Sequence, residues 1–363
     1  MNNMPAPDKP WQQVADSARL YLRPRSPAGP MSPAERDGLV ELITCDSGTP
    51  TRTQLTRRDV EDWAANCGGA RQARITTLLA QIDSTRHPVC GVGLEQPRIM
   101  AVVNVTLDSF SDGGKNFDSE VAIRAGREMA AAGADIIDVG GVSTRPGASP
   151  PSPAEELARV LPVIRALAEA GLIVSIDTRR AAVMAAGLAA GGQMINDVSA
   201  LTADPESLSL AARSEAPIVL MHMQGDPETM QKAPTYDHVS LDVFDFLEER
   251  IAACIAAGVP RHRLIVDPGI GFGKTIPHNL QILRDLALFH GLGCPLLVGL
   301  SRKYFIGALS NRAPAAARMP GSIAGALHAV SQGAQIVRVH DVGETCQAIK
   351  IWQAIRGDIA DYM

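Results

Sequence analysis

Eight short apolar runs alternate with alanine-rich segments between Pro97 and the end of the chain. Each run is too short for a globular helix and is rich in β-branched residues, as buried parallel strands are. The runs are Ile99–Val105, Ile136–Val139, Ile173–Asp177, Met194–Val198, Ile218–Met223, Leu264–Asp267, Leu296–Gly299 and Ile336–His340. Eight strand-then-helix units in about 265 residues match a (β/α)₈ barrel in size and order. The sequence therefore predicts an α/β fold, a (β/α)₈ TIM barrel, with a doubly wound open sheet as the alternative.

The first 95 residues have a different character. A Pro- and Arg-rich opening precedes two helix-start signals, a capping box at Ser32–Glu35 and Thr56 followed by Asp59. An amphipathic stripe follows, formed by Ile75, Leu78, Leu79 and Ile82. We therefore predict a small, mostly helical N-terminal extension of unknown role over residues 1–95 and a catalytic barrel over residues 96–363.

Composition excludes several classes of function. The net charge is -5 and aromatic residues make up 4% of the chain, which argues against nucleic acid or an anionic membrane as a partner. No apolar run reaches the roughly 18 residues that a membrane helix needs. The six cysteines are scattered without a C-x-x-C pair, which is typical of free thiols in a reducing compartment. We expect a cytoplasmic protein that acts on small molecules.

Polar residues follow almost every predicted strand. In a barrel the C-terminal ends of the strands meet at one face, where ligands bind. The residues are Asn104, Thr106, Asp138, Asp177, Asn196, Asp197, Met221, His222, Met223, Asp267, Ser301, Arg302, Lys303, Arg338, His340 and Asp341. A single polar strand end is usually structural, but so many on one predicted face indicate a site.

The spacing of the cations refines this site. Arg338 and His340 are two residues apart, and so are Ser301 and Lys303, so each pair is expected to point to the same side of its strand. Cations at the mouth of a barrel indicate an anionic group in the ligand.

Three further side chains suit a flat heterocycle. Asp177, Asn196 and Asp267 offer acceptors and donors, and a carboxylate can bind adjacent N–H and NH₂ groups in a bidentate manner. We therefore expect a polar ring system bearing an anionic group.

Glycine-rich loops follow three of the strands. The stretch MAVVNVTLDSFSDGG, from Met100 to Gly114, runs from a buried strand into a polar, glycine-hinged loop. The second loop, Gly140–Gly147, carries Arg145 between glycines that are expected to act as hinges. The third loop, Asp267–Thr275, has Pro268 where a Walker motif needs glycine, and it does not fit G-x-G-x-x-G. A nucleotide-binding motif is therefore excluded.

Several stretches in this order resemble the dihydropteroate synthase family. They are NVTLDSFSDGG, DIIDVGGVSTRPGA, SIDT, INDVSA, VLMHMQGDPETMQ, DPGIGFGKT, GLSRK and RVHDV, and the match runs from about Pro97 to Arg356. The resemblance implies a transferase that joins 4-aminobenzoate to a dihydropterin methyl diphosphate and releases diphosphate, with Mg²⁺ as cofactor. It also implies a homodimer and a target of sulfonamides.

The resemblance assigns roles to residues at matching positions. Those implied for the pterin are Asp177, Asn196, Met221, Asp267 and Lys303. Those implied for the diphosphate and Mg²⁺ are Asn104, Arg338 and His340. Those implied for the aminobenzoate site and its loops are Asp108, Phe110, Thr144, Arg145, Pro146, Phe272, Lys303 and Tyr304. Among all of these, Asp177, Asp267, Lys303, Arg338 and His340 are expected to be catalytic, and Asn104 to contact the metal.

Two positions depart from the family pattern, Leu107 where proline is usual and Val142 where glutamate is usual. Both fall on the predicted loops, so we expect altered handling of aminobenzoate and retained pterin binding. Two other functions stay open. A methyltransferase domain that binds a methylated folate shares the barrel, but Arg338 and His340 argue against it. A catalytically weakened pterin-binding paralogue is favoured only by the two departures.

Overall fold

The chain begins with a small antiparallel sheet followed by two helices. A computed structural model describes residues 14–15, 17–25, 38–46, 48–105, 115–142, 151–225 and 230–357. The sheet has the order β1-β2-β3, and the elements are β1 (Arg19–Pro24), β2 (Leu39–Cys45), β3 (Thr51–Thr56), α1 (Arg57–Cys67) and α2 (Gly69–Asp83). The capping box at Thr56 and Asp59 starts α1 as predicted. The three strands were not predicted, and the Ser32–Glu35 signal lies outside the described residues.

Eight parallel strands then form a barrel. They are β4 (Arg98–Asn104), β5 (Ile136–Gly140), β6 (Val174–Asp177), β7 (Met194–Asp197), β8 (Ile218–Met221), β9 (Leu264–Asp267), β10 (Leu297–Gly299) and β11 (Ile336–Val339). Their order is β10-β11-β4-β5-β6-β7-β8-β9, and a parallel bridge between Val266 and Leu296 links the two ends of the sheet. The ring is nearly closed, which confirms the TIM barrel and rules out the open sheet.

Helices lie between the strands on the outside of the barrel. They are α3 (Lys115–Ala131), α4 (Pro153–Glu169), α5 (Ala181–Ala189), α6 (Ser207–Arg213), α7 (Val239–Ala256), α8 (Ile276–Arg284), α9 (Tyr304–Leu309), α10 (Met319–Ser331) and α11 (Val342–Arg356). The apolar stripe of α7 is buried at Leu241, Phe244, Leu247 and Ile251, whereas Ile255 is 41% exposed and Cys254 takes the buried position of the last turn. Within the described ranges, no helix is long and apolar enough to span a bilayer.

Apolar side chains fill the end of the barrel at which the strands begin, opposite their C-terminal ends. The cluster takes residues from near the start of seven strands, Met100, Ile136, Met194, Val219, Ile265, Leu297 and Ile336. Val89 and Leu94, from a turn just before β4, complete it. Because this end is filled, a ligand can enter only at the other end.

The N-terminal extension packs against α7 and a 3₁₀ segment, Leu286–Leu292. The ring of Tyr21 meets that of Phe244 edge-on, with centroids 5.3 Å apart, and Phe244 stacks near Phe289. A single hydrophobic cluster runs through the extension and the outer layer of the barrel. Aromatic pairs and shared burial of this kind hold the two parts together.

Candidate functional site

Arg338 lies between two aspartates at the mouth of the barrel. Its Nε donates to Asp138 Oδ2 at 2.7 Å, and a terminal nitrogen donates to Asp177 Oδ2 at 2.7 Å. Asn196 Nδ2 donates to the same oxygen of Asp138 at 2.9 Å. Strands β5, β6, β7 and β11 therefore bring their polar ends into one network, as the barrel geometry predicts.

Asp267 reaches this network from the opposite side of the barrel. Its Oδ1 accepts the backbone N–H of Gly269 at 2.7 Å. A methyl group added at Gly299 would lie 3.6 Å from Arg338 Cβ and 4.0 Å from Asp267 Oδ2, so this glycine occupies the narrow space between the two side chains. Lys303 donates to the carbonyl of Ile270 in the loop after β9.

The carboxylates at the mouth have unusual electrostatics. Burial and the nearby charge of Asp138 raise the pKa of Asp177 to about 7, although Arg338 opposes the shift. Burial also raises the pKa of Asp267, against the charge of Lys303 and the hydrogen bond from Gly269. Both carboxylates are therefore short of stabilising donors, and a ligand that brings N–H groups would supply them.

The two long cations differ in how firmly they hold their charge. Burial lowers the pKa of Lys303 to about 8, and Asp267 limits the shift. Burial would lower the pKa of Arg338 as well, but Asp138 and Asp177 raise it. Arg338 is thus a fixed charge, whereas the charge of Lys303 depends on the polar groups around it.

His340 is a neutral imidazole beside these charges. Burial, with the charges of Arg338 and Arg302, lowers its pKa to about 4. Its Nδ1 lies 3.1 Å from Ser301 Oγ, and its backbone N–H donates to the same oxygen at 3.2 Å. Ser301 therefore fixes the ring, which leaves Nε2 for a ligand.

The prediction that Ser301 and Lys303 point to the same side of a strand is wrong, because neither residue lies on the strand. Strand β10 ends at Gly299, so both residues lie beyond it, and Arg302 between them has φ of 59°. Alternation along a strand cannot orient them. Their directions come instead from the turn into α9, where Lys303 is the N-cap residue.

Some of the polar strand-end residues have structural roles. Asp197 accepts both the N–H and the hydroxyl of Ser199. Asp341 precedes α11 and pairs with Arg302. These groups have their hydrogen bonds inside the protein, so they leave the site to the residues described above.

Three further residues with predicted roles, Met221, Phe272 and Tyr304, lie in the described part of the chain. Met221 is buried at the end of β8 and is in register with Asp267. The ring of Phe272 lies 4.7 Å from Lys303 Nζ. Tyr304 is 73% exposed. The others, Thr106, Asp108, Phe110, Thr144, Arg145 and Pro146, lie outside the described residues.

A Mg²⁺ ion fits the residues at the mouth only as part of a substrate complex. In the described ranges no group of three or more His, Cys, Asp or Glu side chains could hold a metal. Asn104 ends β4 with its side chain exposed. Mg²⁺ usually keeps several waters and binds one or two protein oxygens together with substrate phosphates, so one amide oxygen suits an ion that arrives with a diphosphate.

Two functional candidates were missed by the role assignments. Asp138 was noticed only as a polar strand end, yet it orients both Arg338 and Asn196. A lone carboxylate within the apolar run of β5 was the available signal. Lys274 is 2% exposed, and it follows three alternating glycines.

Comparison with known proteins relates this geometry to one family. A family model described as pterin binding enzyme matches residues 100–340. A dihydropteroate synthase of Neisseria meningitidis serogroup B is 48% identical over 269 residues, which are 73% of this chain and 94% of that protein.

Two solved structures of the Xanthomonas albilineans dihydropteroate synthase are also similar. One, with 4-aminobenzoic acid, has a TM-score of 0.71 and 46% identity, covering 76% of this chain and 99% of that chain. The other, in complex with 7,8-dihydropteroate, has a TM-score of 0.67 and 45% identity, covering 74% of this chain and 96% of that chain. About a quarter of this chain therefore lies beyond what these relatives match.

Proposed function

The chain belongs to the dihydropteroate synthase family of pterin-binding enzymes, and we propose that it condenses (7,8-dihydropterin-6-yl)methyl diphosphate with 4-aminobenzoate. The products are 7,8-dihydropteroate and diphosphate. One observation carries the proposal: the barrel mouth gathers buried carboxylates with fewer donors than they can accept, next to a permanently charged guanidinium. A donor-rich pterin with an anionic tail matches both features.

The pterin ring binds to the acidic side of the mouth. Asp177 and Asp267 accept hydrogen bonds from its ring N–H and amino groups. Asn196 donates to Asp138, so its carbonyl oxygen faces away as a further acceptor. Met221 forms part of the apolar floor.

The diphosphate tail binds to Arg338 and His340. Arg338 keeps its charge through Asp138 and Asp177. In the tautomer in which the Ser301 hydroxyl donates to Nδ1, His340 carries its proton on Nε2 and donates it to the diphosphate. Asn104 would contribute an oxygen to Mg²⁺, and the ion when bound offsets the charge of the diphosphate.

Bond breaking precedes bond formation in this reaction. The bond between the methylene carbon and the diphosphate oxygen breaks, its electron pair leaves with the diphosphate, and the carbon becomes a cation conjugated with the pterin. Asp177 and Asp267 stabilise that positive charge. The amine of 4-aminobenzoate then forms the C–N bond and loses a proton. Phe272, with Asp108, Phe110, Thr144, Arg145 and Pro146 of the loops, would shape the second site and exclude water.

The direct test is an assay of diphosphate release. The purified chain is given the dihydropterin diphosphate, Mg²⁺ and 4-aminobenzoate, and diphosphate and dihydropteroate are measured together. We expect equal amounts of both, and neither when 4-aminobenzoate is left out. Tight pterin binding without turnover would instead support the weakened paralogue that Leu107 and Val142 suggest.

We also propose a cytoplasmic homodimer. All six cysteines are free thiols, which suits a reducing compartment. On α11, Ile351 and Ile355 are 59% and 79% exposed, which suits burial against a second copy. Sedimentation of the wild type and of Ile355→Asp tests the dimer, and a monomeric wild type at micromolar concentration would contradict it.

A further inference from the structure

The amine of Lys274 is buried among uncharged hydrogen-bond partners, and burial lowers its pKa well below the usual value for lysine. Its Nζ lies 2.8 Å from His222 Nδ1, 3.0 Å from the carbonyl oxygen of Phe272 and 3.4 Å from that of His222. When it is protonated, the amine has three donors, which these three acceptors match. Burial and the charge of Lys274 lower the pKa of His222 to about 2, so the ring is neutral, and the tautomer with its proton on Nε2 leaves Nδ1 as the acceptor for Lys274.

The loop that follows β9 is held almost entirely by side chains. Four consecutive carbonyl groups, those of residues 270–273, each accept a hydrogen bond from a side chain, and three of the four donors belong to other segments of the chain. The donors are, in that order, Lys303, Gln231, Lys274 and Tyr236. A backbone with this many fixed points has little freedom to move its side chains.

The glycines of this loop allow it to press against the chain after β8. Gly269, Gly271 and Gly273 have φ values of 67°, 84° and 62°. A methyl group added at Gly269 would lie 1.9 Å from the carbonyl oxygen of His222, and one at Gly273 would lie 2.3 Å from that of Gln224. No other residue fits there. Lys274 thus joins two segments whose backbones are in direct contact.

We propose that Lys274, together with His222, positions Phe272 in the 4-aminobenzoate site. This inference rests on the proposed function. Lys303 also holds the loop, but the proposed function assigns it to the pterin as well. Lys274 has no hydrogen bond or ion pair with the pterin-binding carboxylates, and only its charge acts on Asp267, so its hydrogen bond to Phe272 is available to the second-substrate site while the pterin is bound. Its loss therefore affects the second substrate more than the first.

Lys274→Met tests the proposal, since methionine keeps the length of the side chain and removes its donors. We expect the KM for 4-aminobenzoate to rise about tenfold, with the Kd of the pterin substrate within twofold of the wild type. Lys232→Met is the matched control, because Lys232 is exposed on the segment after β8. It should change neither constant. An unchanged KM in Lys274→Met, or an equal loss of pterin affinity, would overturn the proposal.

Variants of His222 provide a second test that does not depend on removing the lysine. His222→Leu deletes one acceptor and should raise the same KM, whereas His222→Gln keeps an acceptor oxygen and should restore it. Even if Lys274→Met did not fold, this pair would decide the question.

A readout without turnover separates this inference from the proposed function. Fluorophenylalanine incorporation, with Phe272→Leu to assign the signal, reports the ring of Phe272 by ¹⁹F NMR in the pterin-bound chain. A single narrow resonance in the wild type that shifts or broadens in Lys274→Met and in His222→Leu supports the inference. The same resonance in all variants would refute it, whether or not the wild type releases diphosphate.

Discussion

Two buried clusters of arginine and carboxylate differ in how completely they are paired. The first lies at the seam between the N-terminal extension and the barrel. Arg52 binds both oxygens of Asp285 at 2.8 Å, and Arg23 binds one of them at 3.0 Å. Both arginines also lie within ion-pair distance of Glu41, at 3.0 and 3.2 Å. Two cations thus face two anions.

The second cluster, at the barrel mouth, has fewer donors than acceptors. In the described part of the chain, Arg338 is the one cation that binds Asp138 and Asp177, and Asn196 donates a further hydrogen bond to Asp138. Within the described residues, the second oxygen of Asp138 is buried without a hydrogen-bond partner. Such a group is costly to bury, and proteins retain one mainly where a ligand or the chemistry requires it.

The pKa values follow the same division. Burial alone would raise the pKa of Asp285, but the hydrogen bonds from Arg52 outweigh it and the pKa falls below its usual range. At the mouth burial prevails, and the pKa of Asp177 rises to about 7. At the seam both carboxylates have arginines within ion-pair distance, although Arg23 Nε lacks a well-aligned hydrogen bond, and this cluster serves the fold. At the mouth the carboxylates have fewer donors, which is the condition expected of a ligand site.

The largest effect is expected from Arg338→Met. It removes the fixed cation at the mouth, so turnover should fall by about 100- to 1,000-fold, the typical cost of losing a group that stabilises developing charge. The rate of diphosphate release measures this. Arg338→Lys keeps the charge but cannot bridge two aspartates, so it should recover only part of the rate. A loss of less than tenfold in the methionine variant would mean that the mouth does not depend on this charge.

Arg52→Met should affect stability and leave activity intact. Removing one partner of a buried ion pair costs 3–5 kcal/mol, and because Arg52 is partly exposed and Arg23 remains, we expect a loss of about 2 kcal/mol. Urea unfolding measures it, and the pterin Kd should stay within twofold. Arg124→Met removes an exposed pair with Glu128 and should cost under about 0.5 kcal/mol.

Acid should remove the stability that the ion pairs of Asp285 at the seam contribute to the fold. The pKa of Asp285 is lowered by folding, so its contribution is present above the unfolded pKa and is lost as the pH falls through the folded pKa. The stabilities of the wild type and of Arg52→Met should therefore converge below about pH 4. If the difference in unfolding free energy between the wild type and Arg52→Met stays constant down to pH 3, the stabilising effect of Arg52 does not come from its pairing with Asp285.

Pterin affinity should depend on pH near neutrality, above the acidic range in which the seam loses its stability. Asp177 must be ionised to accept two donors, and its pKa of about 7 predicts about tenfold weaker binding at pH 6 than at pH 7.5. Lys303 loses its charge above its pKa of about 8, which predicts a decline on the alkaline side. Titration calorimetry across this range should give a maximum between pH 7 and 8. In Asp177→Asn the acidic limb should disappear, and its persistence would assign that limb to another group.

The sequence predicted the barrel well because each strand is a short, mostly apolar run with a polar residue within it or shortly after it. All eight predicted strands exist, with ends shifted by no more than two residues. The three strands of the extension were missed because they are paired in an antiparallel sheet on the outside of the barrel, and Pro24 and the arginines near it obscured their pattern. Packing of Tyr21 against Phe244 joins residues more than two hundred positions apart.

The clustering of side chains at one face was predictable where strand ends alone define it, as for Asp177, Asn196, Asp267 and Arg338. Two kinds of information were not in the pattern. Asp138 acquires its importance from which neighbours donate to it, and Lys274 from contact between two loops. Hydrogen-bond partners across a barrel depend on tertiary geometry, so a rule based on position cannot supply them.

The smallest effect is expected from changes at the rim of the mouth. Leu107 lies outside the described residues, and Val142 is half-buried just after β5. Leu107→Pro restricts the backbone at this position, so fewer conformations are lost on binding, a gain of about 0.5–1 kcal/mol, which corresponds to about two- to fivefold in affinity. Val142→Glu adds a carboxylate beside the loop that carries Arg145. We expect the double variant to change the KM for 4-aminobenzoate by this factor and to leave the pterin Kd unchanged, because none of the pterin-binding positions is altered. Steady-state kinetics on the double and single variants measure this, and an unchanged KM would show that the two departures do not act on the second substrate.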